Sequence, residues 1–123
     1  MNSSTVCQQS SNLLRVMTAH PERDRIELAN VFAALGNPLR LQIVRVLADG
    51  AEHTCGSIVD GVPKSNLTHH YRVLRDAGII WQRPSGRETL QSLRREDLDA
   101  RFPGLLDSVI DAAHREHSHA TRV

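Results

Sequence analysis

Aromatic residues are scarce in this chain: Phe32, Tyr71, Trp81 and Phe102 are all that its 123 residues include. Proteins that hold single-stranded nucleic acid stack the bases on exposed aromatic platforms, so the scarcity argues against that class and leaves duplexes in play. Cysteine is nearly as rare. Cys7 and Cys55 lie far apart behind no signal-peptide pattern, which argues against a disulfide framework and for a reducing, cytoplasmic setting. No apolar run approaches the roughly 20 residues of a membrane-spanning helix, so no membrane partner is expected. A Gly-rich phosphate loop, a His-Glu-x-x-His helix and a nucleophile elbow are all missing, so neither an enzyme nor a cofactor is expected.

Charge of one sign is also lacking overall, since the net charge is only +1. Its placement is uneven, however. Between Val62 and Arg95 stand Lys64, Arg72, Arg75, Arg83, Arg87, Arg94 and Arg95 against Asp76 and Glu88 alone, a surplus of five that leaves the rest of the chain at −4. One basic segment in an otherwise acidic chain is the footprint of a protein that docks on phosphates with a single surface.

A chain of this length forms one domain that buries roughly two-thirds of its unfolded surface around one core. Residues 1–10 are polar and Ser-rich and read as a flexible N-terminus, 11–117 as the folded domain, and 118–123 as a flexible tail. Leu13, Leu14 and Met17 give a short amphipathic helix that stops before His20-Pro21. From Asp24 to Leu35 the apolar residues keep helical spacing, and Gly36 suits a left-handed C-terminal position. Asn37 caps the next helix with Pro38 at its first position, where a missing N–H costs nothing. That helix runs to about Asp49, burying Leu41, Val44, Leu47 and Ala48. A short helix from Thr54 to about Val59 closes at Asp60-Gly61.

Pro63 then opens the most informative stretch, which ends at Gly78. At about 100° per residue, Leu67, His70, Tyr71, Leu74 and Ala77 share one side of a helix, and Ser65, Thr68, His69 and Arg72 share the other. Hydroxyls, an imidazole and a guanidinium are the groups that reach base edges and phosphates in a major groove. Lys64 and Asn66 lie near the helix start, where the positive end of the dipole favours phosphate. Most polar helix faces are merely solvated. The Gly-containing turn before this one and the local positive charge weigh for DNA, and a helix-turn-helix results. His70, on the dry side, reads as a hydrogen-bonded packing residue.

After Gly78 the pattern changes to two β-rich runs, Ile79–Arg83 and Arg87–Leu93, about a turn at Pro84-Ser85-Gly86. A helix-turn-helix followed by such a hairpin is a winged helix, mainly α with a small β-hairpin. Arg83 and Arg87 flank the wing's turn and are candidates for the neighbouring DNA backbone or minor groove. Asp97 to Arg101 form a helical turn, and Pro103 begins a terminal helix with Leu105, Leu106, Val109, Ile110 and Ala113 on one stripe. That stripe is too apolar for a lone peripheral helix. With Leu13, Leu14 and Met17 it is expected to meet a second copy, symmetric dimers being the commonest oligomers.

Phe32-Ala-Ala-Leu-Gly-Asn-Pro-Leu-Arg-Leu-Gln-Ile-Val-Arg-Val-Leu47 and Ser65-Asn-Leu-Thr-His-His-Tyr-Arg-Val-Leu-Arg-Asp-Ala-Gly-Ile79 resemble the helix pair and the recognition helix of the ArsR/SmtB family of bacterial winged-helix repressors. The two segments match in order, in spacing and in position relative to the wing, and the likeness covers about Glu27 to Leu93. The resemblance implies a homodimer that binds a double-stranded operator palindrome and lets go when an inducer, often a metal ion, arrives.

Against the family's metal sensors this chain is incomplete. The arsenic and cadmium sensors place Cys-x-Cys before the turn, whereas Glu52-His-Thr-Cys-Gly-Ser-Ile58 holds one thiol. Zinc sensors place Asp-x-His early on the terminal helix, where this chain has Arg101 and Pro103; only the late pair, His114 and His117, fits. Asp107, Asp111 and His114, with His117 one turn on, line one helix edge that a dimer could complete into a tetrahedral site, but carboxylates and imidazoles paired with arginines are the commoner arrangement, and no metal is assigned. Cys7 and Cys55 could pair with each other or join His53, although one thiol and one imidazole make a poor soft-metal site. The expectation is thus a sequence-specific duplex-DNA-binding repressor with no assigned effector. The alternative is a winged helix serving as a protein-interaction module or as an inducer-independent DNA-binding protein, which fold alone does not exclude.

Overall fold

Asparagine, proline and glycine stop and start the helices by identifiable contacts. Asn37 Oδ1 accepts from the backbone N–H groups of Leu39 at 2.9 Å and Arg40 at 3.2 Å, with Pro38 in the first turn, and so begins the helix Pro38–Leu47. The helix Lys64–Asp76 ends in a Schellman turn: Ile79 N donates to Leu74 O and Gly78 N to Arg75 O, both at 3.0 Å, while Gly78 takes φ 86°. Ile79 and Leu74 are both fully buried, as the apolar pair of such a turn requires. Gly78 has a second reason to be glycine, because a Cβ there would meet Ile26 Cγ1 at 2.5 Å.

The computed structural model describes residues 20–59 and 61–121, so Cys7, Leu13, Leu14 and Met17 lie outside the described residues. In chain order the elements are α1 (Leu28–Leu35), α2 (Pro38–Leu47), β1 (His53–Thr54), α3 (Cys55–Ile58), α4 (Lys64–Asp76), β2 (Ile80–Ser85), β3 (Glu88–Leu93), α5 (Arg95–Arg101) and α6 (Leu105–Thr121). A 3-10 turn, Arg23–Arg25, precedes them among the described residues. No described helix is long and apolar enough to cross a membrane.

Three local expectations are corrected. The helical pattern from Asp24 to Leu35 breaks at extended Ile26 and Glu27, because Ile26 is a core plug under Gly78 whose carbonyl, freed from a helix, accepts from Arg101. Gly36 is not left-handed: its φ is −81°, its N–H closes α1 on Ala33 O, and Asn37 starts the next helix at once. The wing's turn is Gly86-Arg87 rather than Pro84-Ser85-Gly86, since Pro84 pairs with Thr89 and Ser85 with Glu88. Gly86 holds φ 62° at the first turn position, and Pro84 is tolerated because β2 is an edge strand.

The sheet has three strands in the order β1-β3-β2, all antiparallel, with His53 opposite Gln91 and Thr54 opposite Leu90. Around it lies one core. Ile43, Val44 and Leu47 of α2, Leu67, Tyr71 and Leu74 of α4, and Ile79 and Ile80 of the β2 approach are buried together with Val31, Ala34 and Leu35 of α1. Each of the Val, Leu and Ile side chains among them is worth about 1.5–3 kcal/mol when fully buried. Ile43 takes the place expected for Leu41 and Ala48, which are only half-buried.

Leu106 and Ile110 of the terminal stripe also belong to this core, leaving Leu105, Val109 and Ala113 half-buried on α6. Cys55 is buried and disulfide-bonded, and its partner lies outside the described residues. This overturns the reduced-thiol expectation at Cys55; separation along a chain does not measure separation in space.

Candidate nucleic-acid interface

Tyr71 fixes α4 in the molecule. Its ring is fully buried, its hydroxyl donates to Cys55 O at 2.8 Å, and burial pushes its pKa far up, so it stays a neutral donor. With Leu67 and Leu74 it commits one face of α4 to the core. The other face is thereby turned outward: Ser65, Asn66, His69 and Arg72 are exposed, and Thr68 is half-buried. The side chain of Lys64 lies outside the described residues. No side chain caps the start of α4, where Pro63 O accepts from Asn66 N and Leu67 N. An uncapped helix start leaves N–H groups and the positive dipole end for an anion.

His70 lies between the two faces. Its Nδ1 is 3.3 Å from an Arg40 terminal nitrogen, and Arg40 Nε donates to Ala34 O at 2.6 Å, so α1, α2 and α4 are tied through one guanidinium. Desolvation first, then the charges of Arg40 and His69, hold the His70 imidazole below its ordinary value. The neutral ring is the form that accepts from Arg40.

The basic segment divides sharply once its partners are counted. Arg94 is 2% exposed, bonded to Asp97 at 2.8 Å and to Pro21 O at 2.7 Å, and lies over the Trp81 ring. Desolvation would raise the Asp97 carboxyl, but hydrogen bonds from Arg23 and Arg94 outweigh it and hold the pKa down. Arg95 bonds Asp107 at 2.7 Å, and Arg75 bonds Asp76 at 3.0 Å. Arg83, on the wing, donates from Nε and Nη2 to the two Glu52 carboxylate oxygens, at 2.8 and 2.7 Å, and this pairing lowers the Glu52 pKa. Arg72 and Arg87 are exposed and have no ion pair among the described residues. Together they are what this surface offers to phosphates as uncommitted guanidinium.

Within one protomer the carboxylate and imidazole candidates of α6 do not converge. Asp107 is held by Arg95, and Asp111 by Arg115 at 3.0 Å; among the described residues no three His, Cys, Asp or Glu side chains gather as a metal would need. His53 Nε2 lies 2.9 Å from Asp49 Oδ2. Two groups that matter escaped sequence reasoning. Gln82 and Gln91 are buried in the wing, although strand alternation from Ile80 places Gln82 inward. Phe32 and Leu28 are exposed on α1, although their helical spacing suggested core.

Comparison with known proteins agrees with this geometry. A helix-turn-helix domain family matches residues 35–83, from the end of α1 through α4 into β2. The chain is 32% identical over 96 residues to the HTH-type transcriptional regulator YceK of Bacillus subtilis, covering 76% of this chain and 95% of that protein. It is 33% identical over 94 residues to the HTH-type transcriptional regulator NmtR of Mycobacterium tuberculosis, covering 76% and 73%. To the regulator MJ1325 of Methanocaldococcus jannaschii it is 35% identical over 60 residues, covering 47% and 67%. With a helix-turn-helix leading into a three-stranded wing and these relatives along most of its length, the chain belongs to the ArsR/SmtB family of winged-helix transcriptional regulators.

Proposed function

We propose that the chain is a repressor that binds an inverted repeat in double-stranded DNA as a homodimer. Each protomer inserts the outer face of α4 into a major groove, and the two helices lie about 34 Å apart, one turn of the duplex. The observation that carries this reading is the division of α4: Tyr71 locks one face, while Ser65, Asn66, Thr68, His69 and the exposed Arg72 occupy the other. Arg72 reads a base edge, because a guanidinium bonds guanine with two donors. Lys64 at the helix start and Arg87 at the wing tip take phosphates, and Arg83 joins them when it leaves Glu52.

The dimer forms on the face shared by α1 and α6. Phe32 is 52% exposed there, beside a groove lined with Leu41, Val109, Ala112 and Ala113. Leu105 extends the apolar face. An effector that favours a dimer with the wrong helix spacing releases the operator by its differential affinity for the two geometries.

The experiment is a titration of native protein and Arg72→Ala with a duplex enriched by the native protein from a random-sequence pool, and with its scrambled counterpart. The variant is expected to lose about 1–3 kcal/mol of preference for the enriched duplex. Equal preference in the two proteins removes Arg72 from base reading. Binding to neither duplex leaves the interaction-module alternative.

A further inference from the structure

Gln91 has no solvent exposure and Gln82 only 4%, an uncommon cost for two primary amides in a hairpin of six-residue strands. Every polar end of the pair is used. Gln91 Nε2 donates to Thr89 O at 3.0 Å and reaches Cys55 Sγ at 3.3 Å, and Gln91 Oε1 accepts from Gln82 Nε2 at 3.0 Å. Gln82 Oε1 accepts in turn from Arg75 Nη1 at 3.3 Å. On the far side, Cys55 O accepts from the Tyr71 hydroxyl at 2.8 Å.

These contacts close a ring. It leaves α4 at Arg75, crosses β2 at Gln82 and β3 at Gln91, enters α3 at Cys55, and returns to α4 at Tyr71, one helical turn from its start. Leucine at either glutamine position would fill similar volume without desolvating an amide, and buried hydrogen bonds add little net stability over well-packed apolar groups. What the amides add is direction. Apolar contacts are non-directional, whereas hydrogen bonds weaken steeply as their angle closes, so the ring favours one orientation of the sheet on α4.

We propose that Gln82 and Gln91 are positioning residues for DNA reading: they fix the angle between the wing and α4, so that Arg87 and Arg72 meet one duplex together. The inference rests on the DNA reading above. It assigns the glutamines no contact with DNA; they act through the elements they join.

The full-length double variant Gln82→Leu/Gln91→Leu tests it in two ways. In the DNA-free protein, residual dipolar couplings of β2 and β3 amides fit the same alignment as those of α4 in the native chain; in the variant the wing amides lose that shared fit. On DNA, discrimination between the enriched and scrambled duplexes falls on the order of tenfold. A merely structural role shifts the unfolding midpoint and neither of these. Should the double variant fail to fold, Arg75→Met cuts the ring at its partly exposed end and is read the same way. A folded variant whose wing still shares the alignment of α4, or whose discrimination equals the native, overturns the proposal. If the native chain enriches no duplex, the DNA reading fails on its own, and the couplings still decide whether the ring fixes the wing.

Discussion

Arginines that sequence counts alike play opposite parts here: Arg94 is buried against Asp97 and Arg83 is clasped by both oxygens of Glu52, whereas Arg72 and Arg87 face solvent unpaired among the described residues. A surplus of five charges therefore overstates what a duplex meets. Glu52 in particular holds Arg83 through both of its carboxylate oxygens. Replacing it, Glu52→Gln, is expected to strengthen binding to any duplex and to steepen the logarithmic salt dependence by about one unit, the contribution of one added phosphate contact. An unchanged slope in a salt titration would remove Arg83 from the interface. His70 gives a pH prediction at the same scale. Desolvation, Arg40 and His69 hold its folded-state pKa below the ordinary value of 6.5, so the unfolded chain binds the extra proton first as pH falls. Its contribution to stability is complete above roughly 6.5 and is lost as pH drops through the folded value. Urea midpoints should thus fall with pH in this window, and fall less in His70→Gln; parallel curves for the two proteins would contradict the assignment.

Elements were legible where one residue type has one physical job. The Asn37-Pro38 start of α2, the end of α4 at Gly78 and the two faces of α4 follow from capping, glycine freedom and 3.6-residue periodicity, and all are present. β1 was not legible, since two residues carry no period and their pairing with Leu90 and Gln91 is a long-range event. The break at Ile26 was equally hidden, because its cause is Gly78, distant in sequence, which opens the space that Ile26 fills. The ring through Gln82 and Gln91 has no motif at all and exists only once the hairpin is folded. Gly78 offers the test at this scale. Gly78→Ala places a Cβ against Ile26 in a left-handed residue and is expected to destabilise the fold by about 2–6 kcal/mol, the sum of strain and overpacking. Thermal or urea unfolding measures it; a native midpoint would mean that α4 ends differently.

For the whole molecule, the apolar terminal stripe foretold burial but not what does the burying. Leu106 and Ile110 face the chain's own core, so the surface left for a partner combines half-buried Leu105, Val109 and Ala113 with exposed Phe32 and Leu28. Phe32→Asp is expected to give a folded monomer in sedimentation equilibrium and to lose on the order of a hundredfold in operator affinity, because two half-sites no longer bind as one. A dimeric Phe32→Asp protein would place the interface elsewhere. In the proposed dimer, two outward α4 faces read one duplex in symmetry. Selection of duplexes from a random-sequence pool by the native protein tests it most directly. Enrichment of an inverted repeat whose half-site centres lie about one helical turn apart, or a multiple of it, is expected. A pool no different from its input, or enriched in a single unrepeated site, would contradict it.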